Sequence, residues 1–219
     1  MMTRIEPNRG NFALAEPFGL NIVGQMKSPF LIALVALLCG SCTRADTPAP
    51  VPALRVIAAP DGSAILRISF VGEEKPRSVA TVLKYDTPSQ TYRKSTEFTL
   101  RNELAPRDAV ITNDGRFIVT FDDWIGVGRT SNVVVVYRGT GEFVRAWRLE
   151  DVFSEDERKK FISSTSGTWW RGDVALIENE RQSPMVFINP ETRSVLLDRE
   201  RKIGRPVIFD VEKMTFKKE

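Results

Sequence analysis

Histidine is absent from the 219 residues of this chain, and cysteine occurs only twice, at Cys39 and Cys42. The lack of histidine excludes Ser-His-Asp and Cys-His catalysis, His-ligated zinc and a histidine proton shuttle. Because no cysteine follows Cys42, the rest of the sequence also lacks thiolate metal ligands, thiol redox chemistry and disulfides. The sequence therefore predicts no metal and no cofactor. It favours a non-enzyme, although carboxylate chemistry stays open.

An excess of charge of one sign is also lacking. After residue 41 the chain keeps 178 residues with 28 basic and 26 acidic side chains, a net charge of +2. A nucleic-acid-binding surface needs clustered basic residues, so we expect no nucleic acid partner. A single domain of this length buries roughly 70% of the surface of its unfolded chain, and it needs no disulfide to fold.

A short apolar segment stands near the start of the chain. Met26-Lys27 opens it, residues 30–38 are all apolar, and Cys39-Gly40-Ser41-Cys42 follows. A positive start, an apolar stretch and a small-residue site make up a secretory signal peptide, and the stretch is shorter than the roughly 20 residues of a membrane-spanning helix. We therefore predict an export signal at residues 26–41.

The end of this segment resembles the lipobox of bacterial lipoproteins, in which small residues precede an invariant cysteine. Gly40 and Ser41 match the two positions before that cysteine, whereas Cys39 stands where the family usually has leucine. The resemblance implies lipid attachment at Cys42, whose thiolate takes the diacylglyceryl group. Thr43, in place of the aspartate that retains enterobacterial lipoproteins at the inner membrane, implies the periplasmic face of the outer membrane. Cleavage near Cys42 without lipid and an uncleaved anchor are the alternatives.

The regions around the signal complete the domain plan. Residues 1–25 carry no strong periodicity, and we interpret them as a gene-model extension ahead of a start at Met26, or as a disordered tail. A genuine cytoplasmic tail is the alternative. Residues 42–53 contain three alternating prolines, which favour an extended tether above the membrane. A β-rich domain is predicted over residues 54–219.

Short apolar segments between turn signals predict an all-β fold for this domain. The predicted strands are Leu54–Ala58, Ala64–Phe70, Ser78–Tyr85, Thr96–Leu100, Asp108–Thr112, Phe117–Asp122, Val133–Tyr137, Phe143–Arg148, Asp173–Glu178, Met185–Ile188, Ser194–Asp198 and Pro206–Val211. Asp61-Gly62, Asp114-Gly115 and Thr140-Gly141 predict tight turns between strands. A single short helix is predicted near residues 154–162, because Ser154 and Glu157 form a capping box.

The domain also contains an internal repeat, with units near residues 54–104, 106–153 and 169–200. Tyr85, Tyr137 and Asn189 occur 52 residues apart, and an Asp-Gly turn precedes the first two. This unit resembles a β-propeller blade, and residues 114–153 are similar to a group of uncharacterised secreted bacterial proteins, from which no activity follows. Propellers close with about four or more blades, so the resemblance implies incomplete or irregular blades. Packed antiparallel sheets, as a sandwich or open barrel, are the alternative.

Asp122-Asp123-Trp124 ends a predicted strand ahead of a loop that contains Gly126 and Gly128. Adjacent carboxylates beside an aromatic ring are a candidate site for a cation or a sugar. Neighbours on one strand point to opposite faces, so Asp122 and Asp123 do not form the facing pair that a glycoside hydrolase uses. The favoured interpretation is a strand-end turn with solvated acids and a tryptophan in the core.

Trp169-Trp170-Arg171 is the most unusual local feature of the sequence. One tryptophan is expected to be buried and the other exposed. An exposed tryptophan beside Arg171 would stack on a sugar ring or a peptide partner. The alternative is that both rings close hydrophobic faces of the sheets.

Together these features predict a membrane-anchored lipoprotein of the cell envelope whose domain is a non-catalytic binding or scaffold module. Its expected partners are the membrane, through the lipid, and an envelope protein or polymer. A carboxylate-based hydrolase acting on envelope glycan and a purely structural lipoprotein are the alternatives. Fold alone does not decide among them, since function resides in sites.

Overall fold

Alternating apolar residues organise the domain into short antiparallel strands. The computed structural model describes residues 49–72, 75–179, 182–189, 191–195, 199–203 and 206–218. The strands are β1 Leu54–Ala58, β2 Ala64–Val71, β3 Arg77–Asp86, β4 Thr91–Thr99, β5 Pro106–Ile111, β6 Phe117–Asp123, β7 Val134–Arg138, β8 Phe143–Trp147, β9 Ile162–Ser164, β10 Gly167–Trp169, β11 Val174–Asn179, β12 Gln182–Ile188, β13 Glu191–Val195, β14 Arg199–Ile203, β15 Val207–Asp210 and β16 Thr215–Lys218. Two one-turn helices, α1 Leu149–Val152 and α2 Glu155–Arg158, lie between β8 and β9.

Three four-stranded antiparallel sheets form the body of the domain. Sheet 1 has the order β1-β2-β3-β4, sheet 2 the order β5-β6-β7-β8, and sheet 3 the order β11-β12-β15-β16. Hairpin β9–β10 lies between sheets 2 and 3 along the chain, and hairpin β13–β14 is inserted within sheet 3. Consecutive up-and-down strands of this kind are the units that propellers repeat.

Sheet 2 is the middle layer, and both of its faces are buried. Phe117, Val119 and Phe121 of β6 pack in the core shared with sheet 3, whereas Ile118 packs in the core shared with sheet 1. Because side chains alternate across a strand, a strand buried on both faces reads as a continuous apolar run. The four valines at 133–136 are such a run, and all of them are fully buried.

The first strands of the sheets are neighbours. β5 contacts both β1 and β11, so these three strands form one inner edge. Arg55 of β1 donates from Nη1 to the carbonyl oxygen of Pro106 at 2.7 Å, and it also donates to the carbonyl oxygen of Arg107. Sheets 1, 2 and 3 therefore stack face to face with their first strands together, as blades do around an axis.

The all-β, blade-like fold predicted from the sequence is confirmed, and no sheet closes into a barrel within the described residues. The predicted helix is shorter than expected. Ser154 and Glu157 do form the capping box, but α2 ends at Arg158, and β9 begins at Ile162. A preceding turn of helix, α1, was not predicted.

The third repeat is out of step with the first two. Tyr85 and Tyr137 both lie on the third strand of a sheet, whereas Asn189 directly follows β12, the second strand of sheet 3. The 52-residue spacing of Asn189 therefore does not mark an equivalent position. The inserted hairpin β13–β14 separates the second and third strands of sheet 3, and this insertion is what breaks the period.

Several predictions lie wholly or partly outside the described residues. They are the tail at 1–25, the signal at 26–41, the lipid site Cys42 and the end of the predicted strand Ser194–Asp198. Residues 49–53 of the tether are described, and the Trp124 indole donates from Nε1 to the carbonyl oxygen of Ala49 at 2.7 Å.

Candidate functional site

Asp122 is the centre of a buried polar cluster at the inner end of β6. Its side chain is fully buried, and its backbone has a positive φ of 51°. Aspartate tolerates this left-handed conformation better than most residues. The turned backbone lets the carboxylate face the loop at Gly128, where Oδ1 accepts a hydrogen bond from the Gly128 N–H at 2.8 Å. The expectation of solvated acids at this strand end is therefore wrong for Asp122.

Trp170 and Arg171 supply the other partners of this carboxylate. The Trp170 indole donates from Nε1 to Oδ1 at 3.0 Å, and Arg171 donates from Nε to Oδ2 at 2.9 Å. Burial raises the pKa of Asp122, while the Arg171 guanidinium and the two N–H donors act in the opposite direction. Residues that are 48 and 49 positions apart in sequence are thus joined in one ion-paired cluster.

The cluster continues to the inner edge of the sheets through Asp108. Arg171 donates from Nη1 to Asp108 Oδ2 at 2.9 Å, and Asp108 Oδ1 lies 3.4 Å from Nη2 of Arg55. Side-chain exposure rises along this path from 3% at Arg171 to 37% at Asp108. Within the described residues Arg171 Nη2 is buried without a hydrogen-bond partner. The path links sheet 1, sheet 2 and the segment that enters sheet 3.

Asp123 belongs to a second buried network on the opposite face of β6. Its carboxylate accepts from Nδ2 of Asn102 at 3.0 Å and from Nδ2 of Asn132 at 3.4 Å. The pKa of Asp123 is raised because the carboxyl is buried, and the hydrogen bonds from these amides offset part of that rise. Asn102 also accepts at Oδ1 from the Thr120 hydroxyl at 3.0 Å. The expectation of a solvated acid is wrong for Asp123 too, because the loop residues before β5 and β7 cover it.

The burial of the three tryptophans Trp124, Trp169 and Trp170 differs in part from the expectation. Trp124, expected in the core, is only partly buried beside the tether. Trp170 is buried at 2% exposure, so the expectation of one buried ring in the pair is met there. Trp169 is partly buried, and the Arg107 guanidinium lies 4.5 Å from the centroid of its ring. Its ring packs against the core shared by sheets 2 and 3.

A surface groove lies at the seam between sheets 1 and 2, away from this cluster. It has a volume of about 440 Å³. Its lining comes from β3, β4 and the β5–β6 and β7–β8 turns, namely Lys84, Ser95, Thr96, Gly115, Arg116, Arg138, Gly139, Thr140 and Glu142. We refer to these nine residues as the cationic groove, because three of them are cations and one is an acid.

Two glycines bring the walls of the cationic groove together. The Gly139 N–H donates to the carbonyl oxygen of Arg116 at 2.7 Å. A Cβ at Gly139 would stand 1.8 Å from the carbonyl oxygen of Gly115, so only glycine fits there. Gly115 has a positive φ of 66°, and the stem of Lys84 passes over it. The floor of the groove is therefore formed by two touching turns.

The three cations of the groove are not equally engaged. Arg116 is ion-paired to Asp114 and, through Nη2 at 3.1 Å, to Glu212. Arg138 places its guanidinium 4.6 Å from the centroid of Phe117, and neither Arg138 nor Lys84 has a carboxylate partner among the residues described. Lys84 and Arg138 therefore supply the uncompensated positive charge of the groove.

Sequence reasoning named Asp122, Asp123, Trp124, Trp169, Trp170 and Arg171 but missed the groove. A signal was present, because Lys84 directly precedes the repeated Tyr85 and Arg138 directly follows the repeated Tyr137. Asp108 and Arg55 were missed as partners of Arg171, since nothing in a single sequence pairs residues so far apart. Asn102 and Asn132 were missed for the same reason.

Comparison with known proteins returned no matching family model and no matching curated protein. Among the described residues, no group of three or more histidine, cysteine, aspartate or glutamate side chains converges as metal ligands would. No helix within the described part of the chain is long and apolar enough to cross a membrane. The chemistry of the site must therefore be argued from its own geometry.

Proposed function

We propose that this protein is a lipid-anchored binding or scaffold module of the cell envelope, and that its cationic groove holds an anionic segment of an envelope protein or polymer. The observation that carries this proposal is the groove, in which Lys84 and Arg138 stand exposed beside the hydroxyl of Thr140. Arginine and lysine beside hydroxyl donors are suited to carboxylate or phosphate groups.

The two adjacent acids support a binding role more than a hydrolytic one. A glycoside hydrolase needs two carboxyl groups that face each other across the sugar. Asp122 and Asp123 lie on opposite faces of β6, and each is buried among donors from its own protein. These two carboxylates therefore act as structural acceptors, and the remaining acid beside the groove, Glu142, has no acidic partner in its lining.

The groove is tested by recovering partners of the full-length protein from its native membranes by reversible cross-linking. We expect Lys84→Gln with Arg138→Gln to reduce partner recovery about tenfold, since two charged contacts are lost. The matched control is Lys75→Gln with Lys160→Gln, which removes two exposed lysines elsewhere and should keep recovery unchanged. Recovery should also fall as salt is raised.

Three outcomes separate the possibilities. A reproducible partner lost only in the groove variant supports the proposal. A partner retained in both variants would exclude the groove as the binding site. The absence of any reproducible partner would favour a purely structural lipoprotein.

The anchor is tested separately at Cys42. The Cys42→Ala chain should lose lipid labelling and leave the membrane fraction, because the acyl chains provide the anchoring free energy. Fractionation with metabolic fatty-acid labelling measures both properties. A Cys42→Ala chain that stays membrane-bound and unprocessed would contradict the lipoprotein assignment and leave the groove result unaffected.

A further inference from the structure

One face of each terminal sheet lies outside the two cores that sheets 1, 2 and 3 share. Sheet 2 is packed against sheet 1 on one side and against sheet 3 on the other. Sheets 1 and 3 use only one face in these contacts. On both remaining faces apolar side chains stand among polar ones: Arg67, Thr81 and Glu97 form a cross-strand row on sheet 1, and Asp210 is the neighbour of Met185 on sheet 3.

On sheet 1 the uncovered face contains residues from β1, β2 and β3. Leu54 and Val56 are 55% and 61% exposed, and Val71 is 40% exposed. The strand registers place three further apolar residues on the same face, all partly buried: Ile65, Val79 and Leu83. This set of six is called the outer face of sheet 1.

On sheet 3 the uncovered face runs across β11, β12 and β15. Ile177 is 51% exposed, and its cross-strand neighbour is Met185. Ala175, Phe187 and Ile208 form the adjoining cross-strand row, with exposure falling from Ala175 to the buried Ile208. These five residues are called the outer face of sheet 3.

Packing between the sheets is directional. In sheet 1, Ala64, Leu66 and Ile68 of β2 face sheet 2. In sheet 2, the corresponding residues of β6, Phe117, Val119 and Phe121, face sheet 3. Each sheet thus uses one face to contact the sheet that follows it in the chain and the opposite face to contact the sheet that precedes it. The outer face of sheet 3 is therefore the face on which a following sheet would pack. The outer face of sheet 1 is the face on which a preceding sheet would pack.

We infer that two copies of this chain associate head to tail, the outer face of sheet 3 of each copy packing on the outer face of sheet 1 of the other, to close one six-sheet ring. Three blades are fewer than the four to eight or so with which propellers close, whereas twice three lies within that range. The contact continues the packing already present between sheets 1, 2 and 3. A dimer with two-fold symmetry makes it twice and leaves neither face uncovered.

Charge at the rim is consistent with this partner. Glu97 lies on β4 and Lys217 on β16, the last strands of sheets 1 and 3, and both side chains are exposed on the outer faces. Within the chain the last strands of adjoining sheets lie together, since Thr96 of β4 donates to the carbonyl oxygen of Thr140 before β8 at 3.4 Å. In the ring, Glu97, which is already paired with Lys94 of its own strand at 3.0 Å, lies on the same strand-end rim as Lys217 of the other copy.

The first test is the sedimentation of the full-length protein in mild detergent over a range of concentrations. We expect a dimer for the unchanged protein and a shift to monomer for Val56→Glu and for Ile177→Lys. Val56→Glu stays compatible with folding because its cross-strand neighbour is Arg67. Ile125→Lys is the control, because Ile125 is 46% exposed in a loop away from both faces, and this variant should remain dimeric.

The second test measures which faces meet, and it does not require a destabilising substitution. Val56→Cys and Ile177→Cys lie on β1 and β11, the first strands of their sheets. Mixing the two variants, each with one added cysteine, should give an oxidised cross-linked dimer well above the background of the unchanged protein, which has Cys39 and Cys42. Each variant alone should stay at that background.

Several outcomes would overturn the ring. They are a monomer at every concentration, a dimer that both face variants leave intact, and chains longer than two copies. Cross-linking of either single variant with itself above background would show a head-to-head contact and would also overturn it.

Discussion

At the residue scale, Asp122 combines a left-handed backbone with a fully buried carboxylate. Its left-handed backbone and its full burial are both unfavourable on their own. They persist because three donors from two segments, Gly128 in one and Trp170 and Arg171 in the other, converge on one carboxylate. Such a cluster fixes how the loop after β6 and the segment before β11 dock on sheet 2.

Asp122→Asn tests the energy of this cluster with little change in shape. Asparagine also tolerates the left-handed backbone, so the substitution isolates the loss of charge beside Arg171. We expect the free energy of unfolding to fall by about 3 kcal/mol, because Arg171 would lose its fully buried counter-charge and keep only the partly exposed Asp108. Urea denaturation followed by tryptophan fluorescence measures the change.

Glu155→Gln is the matched control for Asp122→Asn. It removes an acid whose pair with Lys159, at 3.0 Å, is exposed on both sides. An exposed helical pair of this kind contributes no more than about 0.5 kcal/mol. A similar small loss in both variants would show that the buried ion pair stabilises the fold little.

The sequence singled out Asp122, Trp170 and Arg171 one by one but not as a unit. Local pattern ended the strand at Asp122, one residue before the observed end of β6 at Asp123, and a strand end before a glycine loop suggests solvation. The loop and Trp170 instead return over the carboxylate. Contacts between residues 48 apart depend on how whole sheets stack, and a single sequence does not carry that information.

At the element scale, α2 is fixed mainly by Glu157. Glu157 accepts from the Ser154 backbone N–H at 2.8 Å as the second half of the capping box, and Lys218 of β16 donates to the same oxygen at 2.6 Å. Lys218, followed by Ser154, lowers the pKa of Glu157 to about 2. One acid thus joins a four-residue helix to the last strand of sheet 3.

Glu157→Gln is expected to weaken the acid sensitivity of the fold. Because the pKa of Glu157 is lowered in the folded state from 4.5 to about 2, its contribution is present above about pH 4.5 and is lost as the pH falls towards 2. The side chain is 36% exposed, so solvent screening limits this contribution to about 1 kcal/mol.

The measurement is the difference in unfolding free energy between pH 6 and pH 3, within about the window in which this carboxylate titrates. The Glu157→Gln protein should lose less stability over that interval than the unchanged protein. Glu155→Gln, which leaves the capping box intact, should lose as much as the unchanged protein does. Equal losses in all three would contradict the role assigned to Glu157.

Elements with strong local signals were predicted well, and short ones were not. β1 has the predicted bounds, and the turn at Gly115 has the expected positive φ. β9, β10 and β16 were missed because three or four residues with few apolar side chains give no readable alternation. The predicted helix was too long because Phe161 packs in the core from the turn that follows α2 and is not itself helical.

At the scale of the whole molecule, the three sheets are unequal. The strands at the centre of sheet 2 are covered on both faces, and every residue of β6 is buried. β1 lies at an edge of sheet 1, and its residues alternate between exposed and partly buried. The stack is therefore most resistant to opening at its middle sheet and least resistant at its outer faces.

Hydrogen–deuterium exchange by mass spectrometry tests this order in the Val56→Glu protein, in which the outer faces are expected to be free. Amides of β6 and β7 should exchange only through global unfolding, because opening them requires separating both neighbouring sheets. Amides of β1 and β16 should exchange faster, with lower opening free energies.

In the unchanged protein, raising the concentration should slow exchange in β1 and β11 while β6 stays the same, since a second copy would cover only the outer faces. Exchange in β1 as slow as in β6 in the Val56→Glu protein would contradict the unequal stack, because burial on one face would then protect as well as burial on two.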